Sequence, residues 1–145
     1  LTACDESLRQ ALASLGPGVI IALPQERCGV AETVALAGYL AQASAHQCGP
    51  CEYGLAAIAR TLAAIANGTA DRDARSRLER WLGDVHRRGA CRHPDGAVRM
   101  IISALATFNE EFTEHARRGP CPACRHGAHA FSLGRHAASA MPLSA

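Results

Sequence analysis

"HQCGPCEYGLAAIARTLAAIANG", residues 46–68, decides how this chain is read. Two thiols, Cys48 and Cys51, stand three positions apart with Gly49 and Pro50 between them, and a helical pattern follows at once. Leu55, Ile58, Leu62 and Ile65 recur at the spacing of one helical face, and Asn67–Gly68 is a stop signal. A redox dithiol of the thioredoxin type needs its C-x-x-C after a strand in a βαβ unit, and no such unit precedes this pair. Half of a zinc site and part of an iron–sulfur cradle remain as readings, with plain buried cysteines as the third.

Outward from this stretch the pattern stays helical. Upstream, Val30, Val34, Ala37 and Ala41 line one face of a helix that runs up to the cysteine pair. Downstream, Leu78, Trp81, Leu82 and Val85 mark a third helix. Asp71 and Asp73 stand before it and Arg87 and Arg88 after it, the charge order that a helix dipole favours. Val98, Ile101, Ile102, Leu105, Phe108 and Phe112 mark a fourth. Four helices with short connections predict an all-α fold, an antiparallel four-helix bundle over residues 29–118. Residues 1–28 are expected to add a short helix over 5–15 and one strand, "GPGVIIAL" at 16–23, closed by Pro24. Residues 119–145, rich in Pro, Gly, Ala, Ser and His, are expected to form a mobile tail.

The bulk numbers fit one globular unit. The 145 residues are 48% hydrophobic and 19% charged, with few aromatics and much alanine, a composition suited to closely packed helices. A net charge of +2 gives no electrostatic case for nucleic acid or a membrane surface. The longest apolar run, "VIIAL" at 19–23, is far too short to span a bilayer. The chain opens on Leu1, as a fragment would, and shows no basic-then-apolar leader, so a cytoplasmic location is expected. In that reducing compartment cysteine pairs bind metals or react more often than they form disulfides, and the odd total of seven argues against a complete disulfide framework.

Topology then brings the thiols together. Cys48 and Cys51 fall at the junction of helices one and two, and Cys91 falls at the junction of helices three and four. In an antiparallel bundle those junctions share an end, so three thiolates converge. Zinc accepts such a set with a histidine added, since Cys3His is a common structural site. An iron–sulfur cluster accepts it as well, with backbone N–H donors from the Gly/Pro loops "QCGPC" and "GACRHPDG" around its sulfurs. Spacing alone does not choose between them.

Several motifs in order carry a resemblance to a known family. "ASAHQCGPCEYG" (43–54) is similar to E-S-C-G-x-C-x-P-C-R-x-G, with Cys48, Cys51, Pro50 and Gly54 on matching positions. "GACRHPDGA" (89–97) places Cys91 and Asp95 on the cysteine and acid of G-x-x-x-C-x-L-G-D, and "FNEEFTEH" (108–115) resembles F-x-x-E-F-x-x-H. "LGPGVIIAL" resembles the glycine-rich strand that leads into these motifs. All of them occur in the C-terminal part of the NADH-binding flavoprotein subunit of respiratory complex I. The related diaphorase subunits of NAD-linked hydrogenases and formate dehydrogenases carry them too.

The resemblance implies a [4Fe–4S] cluster on Cys48, Cys51 and Cys91, with zinc as the alternative cofactor. It also implies an electron-transfer module that relays electrons between a flavin-containing reductase and a ferredoxin or similar acceptor. The alternative function is a zinc-stabilised helical interaction module without redox activity. The segments that hold flavin and NADH in the family are absent, so the chain alone is not expected to catalyse NADH oxidation. It reads as a subunit or fragment of an NADH dehydrogenase-type oxidoreductase. The family's first cysteine falls on Ala45, which leaves one cluster ligand to be found; His93 is the expected replacement, with Asp95 and His46 also within reach. Cys28, Cys121 and Cys124, with Cys4, form a candidate second thiolate site at the opposite end, against the simpler reading of free thiols.

Overall fold

Residues 22–125 are described in the computed structural model. The helix expected over 5–15, most of the strand expected over 16–23, Cys4 and the histidines at 126, 129 and 136 lie outside them. Among the described residues the fold is all-α, with no strand. Ala22 and Leu23, the end of the expected strand, have no regular structure and lead into a turn closed by the Arg27 N–H on the Pro24 carbonyl, 2.9 Å. Among the described residues no strand lies beside them to pair with.

Helix α1 spans Gly29–Gln42 and begins at Cys28, whose sulfur accepts the Ala31 N–H at 3.4 Å in place of the usual oxygen cap. A loop then leads into a wide π-helical turn, Pro50–Leu55, which runs without a break into α2, Ala56–Ala66. Helix α3 is Ala74–Val85 and α4 is His93–Thr107. Helix α5, Asn109–Arg118, and the single turn α6, Pro122–Arg125, complete the described chain.

Helices α1 and α2 pack together, α2 packs on α3, α3 on α4, and α4 returns to α1, while α5 seals α2. Val30, Ile58, Leu62, Leu78 and Val98 are wholly buried at the centre. Each such side chain contributes about 1.5–3 kcal/mol by leaving water. Ala37, Ala41, Ala57, Ala59, Ala66 and Ala97 are buried around them, and their small side chains let the helices approach closely. The faces follow the sequence periodicity with one exception: Ile102, expected on the core face of α4, is 51% exposed.

The fourth expected helix is two. The chain bends at Phe108, which leaves helical geometry at φ −108°, ψ 30°. The hydrogen bonds continue on either side, from the Phe108 N–H to the Ala104 carbonyl and from the Phe112 N–H to the Phe108 carbonyl, each 2.9 Å. The bend seats the Phe108 ring on the bare backbone of Gly29, where an added methyl would overlap it, and lets Phe112 enter the core.

Candidate functional site

Two groups of thiols stand beyond the two ends of α1. The first is built on the π-helical turn. Before it, His46 takes a left-handed conformation (φ 52°), and its Nδ1 pairs with the Glu52 carboxylate at 2.9 Å. The N–H groups of Cys51 and Glu52 both reach the Cys48 carbonyl, at 3.0 and 2.9 Å, so the two cysteines share one tight turn. Gly54 lies flat against Val85 of α3, and a methyl there would overlap the valine Cγ2.

From the other side comes the α3–α4 loop. The Ala90 N–H reaches the Cys48 sulfur and, with the Cys51 N–H, holds that thiol below its ordinary pKa. Cys51 is buried and Cys91 is exposed. Burial raises the Cys51 pKa, and the nearby Cys48 and Cys91 sulfurs add to the rise. The Ser44 hydroxyl also lies against the Cys51 sulfur and donates to the Ala41 carbonyl at 2.8 Å. Cys48, Cys51 and Cys91 therefore lie in one neighbourhood, although 40 positions separate the last two.

The other sequence candidates, His93 and Asp95, each make a backbone contact. His93 opens α4, and its Nε2 lies 2.8 Å from the Leu40 carbonyl. A carbonyl only accepts, so Nε2 carries the hydrogen, and the ring ties the start of α4 to the end of α1. That nitrogen is committed, which leaves only Nδ1 for any ligand. The Asp95 carboxylate takes the Arg87 N–H at 2.7 Å. It thereby closes the loop that carries Cys91 and does not cap its own helix, whose N-cap is Arg92. Ala45 stands where the family has a cysteine, and among the described residues no fourth thiol joins this group.

The second group is at the other end of α1. The Cys28 sulfur is 3.5 Å from Nε2 of His115, the Cys121 and Cys124 sulfurs are 3.5 Å apart, and Cys124 is 3.9 Å from the same Nε2. All four ligand atoms lie within 4.8 Å of one another. Burial pushes the Cys28 thiol up and takes Cys124 to about 12. At Cys121 burial also acts upward, but the adjoining His115 side chain, the Cys124 N–H and the neighbouring thiols outweigh it and bring the group down to about 7. Residues 119–124, expected to belong to a mobile tail, pack Cys121, Ala123 and Cys124 against the core. His115 was not among the expected ligands. Its signal was there in H-x5-C-x2-C, from His115 to Cys124.

Helices that carry thiols on their connecting loops, with amide N–H groups turned to sulfur, define a metal- or cluster-binding helical module. The chain belongs to the NADH-ubiquinone oxidoreductase-F iron–sulfur binding region family, which matches residues 31–115, more than half of its length. No curated protein matches the chain. The cofactor that membership implies is a [4Fe–4S] cluster, and the resemblance read from the sequence motifs is borne out. Among the described residues, Cys48, Cys51 and Cys91 are the cysteines within the matched span. Cys28, Cys121 and Cys124 fall outside it. No helix among the described residues is long and apolar enough to cross a membrane.

The first group fits the cofactor in kind. It offers three cysteine sulfurs, and backbone N–H groups, the donors that stabilise sulfur around such clusters, favour the anionic form of Cys48.

Proposed function

We propose that the chain is an electron-relay module whose [4Fe–4S] cluster is held by Cys48, Cys51 and Cys91. The observation that carries this reading is the family match over residues 31–115, within which the described cysteines are Cys48, Cys51 and Cys91. The bound cluster supplies reversible one-electron transfer. The protein's own contribution is placement. The buried Cys51 and the Gly54–Val85 contact fix the inner side of the site, while the exposed Cys91 leaves the outer side near the surface, where a redox partner can approach.

The partners that suit this role are a flavin-bearing reductase on one side and a ferredoxin or similar acceptor on the other, in the reducing cytoplasm. The cluster-holding unit is 29–118, with its long helices alternating in direction. The fourth iron takes a ligand from outside the three thiolates, with His93 reduced to Nδ1 as its only free nitrogen. The chain positions and tunes the cluster and has no bond chemistry of its own. A redox titration of anaerobically purified protein, followed by electron paramagnetic resonance, tests the role. A reversible one-electron step is expected; an iron-loaded protein that shows none would rule out the relay.

A further inference from the structure

Of the four groups at the start of α1, Cys28, Cys121 and Cys124 lie outside the matched span and His115 is its last residue; none belongs to the cysteine set assigned to the relay. We propose that Cys28, His115, Cys121 and Cys124 bind a zinc ion that clasps residues 119–124 onto the helical core.

The ligand set comes from three separate places. Cys28 is the N-cap of α1, His115 is on α5, and Cys121 and Cys124 flank the α6 turn. Tetrahedral zinc, with Zn–S near 2.3 Å and Zn–N near 2.0–2.1 Å, needs ligand atoms about 3.6–3.8 Å apart. The separations of 3.5, 3.5 and 3.9 Å meet that requirement. A cubane, which places each thiolate on a different iron, spreads its ligands more widely than this. One ion suits the set.

The histidine is oriented for the task. His115 is 2% exposed, and its Nδ1 lies 2.8 Å from the Ala66 carbonyl. That carbonyl can only accept, so Nδ1 carries the hydrogen and Nε2 keeps its lone pair, directed at the Cys28 and Cys124 sulfurs. A carbonyl on the far nitrogen is the usual outer support of a metal-bound imidazole. The Cys28 sulfur already holds the Ala31 N–H at 3.4 Å. A redox pair made by Cys121 and Cys124 alone would use neither the third thiol nor this imidazole.

The surrounding backbone is built to bring the last two ligands in. Gly119 turns the chain at φ +77° and passes so close to Gly68 that a Cβ on the latter would sit 2.8 Å from the Gly119 Cα. Clefts beside Cys28 and Cys121 on one face, and beside Pro120 and Cys124 on another, give an ion access.

Zinc and iron counted per chain test the proposal in the full-length protein, purified anaerobically, and in its Cys121→Ser, Cys124→Ser and Cys48→Ser variants. One zinc per chain is expected in the wild type and in Cys48→Ser. Loss of zinc with retention of iron is expected in the other two variants, together with a fall in the unfolding midpoint of more than about 10 °C. Cobalt(II) added to zinc-stripped wild type should give the spectrum of a tetrahedral thiolate site, a readout that does not depend on a variant folding. Wild type without zinc, zinc undiminished in both tail variants, iron in the site, a Cys121–Cys124 disulfide in the anaerobic protein, or no thiolate–cobalt band would each overturn it. Because the two metals are counted separately, failure here leaves the relay reading standing, and failure of the relay leaves this one.

Discussion

At the scale of single residues, the two histidines beside the thiol groups differ in which nitrogen the backbone takes. Leu40 holds Nε2 of His93, and Ala66 holds Nδ1 of His115. The first ring is turned into a strut between α1 and α4, and the second presents Nε2 to sulfur. His93→Ala should therefore act by loosening the Cys91 loop. Iron content after anaerobic purification should persist, while iron loss to a chelator should quicken about tenfold. A variant that retains iron as tightly as wild type would show that the strut is dispensable. Gly54→Ala is a sharper test of the same end. Its methyl would overlap Val85, and overpacking of this kind costs about 1–3 kcal/mol. A lower unfolding midpoint and reduced iron content are expected; unchanged values would show that the turn has room to spare.

At the scale of elements, the joint between α2 and the end of the chain depends on Gly68. It stands at φ +67° directly after α2, where any L side chain is strained, and Gly119 leaves no room for one. Gly68→Ala should lower stability by about 1–2 kcal/mol from the backbone conformation alone. It should also expose residues 119–124 to limited proteolysis, a cut that wild type resists. How far the elements were legible follows from their physics. The faces of α1 to α4 could be read because burial repeats every three to four residues, and that repeat leads to the expectation that Cys48, Cys51 and Cys91 share one end. The bend at Phe108 could not be read, because the residue its ring rests on, Gly29, is 79 positions away. The π-helical turn hid for a related reason: its apolar spacing is that of an ordinary helix start. His115 closes a family motif, and its place beside the thiols was not legible, since that place depends on Cys28 and on a segment whose composition resembles a disordered tail.

At the scale of the whole molecule, the two thiol groups lie beyond opposite ends of α1, which at about 1.5 Å per residue over 14 residues is roughly 21 Å long. At one end stand Cys48, Cys51 and Cys91, on loops inside the family match; at the other, four ligand atoms lie within 4.8 Å of one another, and of these only His115, the last matched residue, falls inside it. The two proposals give electron transfer to one end and mechanical closure to the other, and the central claim among them is that the family cluster resides on Cys48, Cys51 and Cys91. Iron and acid-labile sulfide, counted per chain in anaerobically purified wild type and in the Cys48→Ser, Cys51→Ser and Cys91→Ser variants, test it most directly. Wild type should hold iron and sulfide in the equal amounts of one [4Fe–4S] cluster, and each variant should lose most of both. Full iron and sulfide in any one of the three would contradict the assignment.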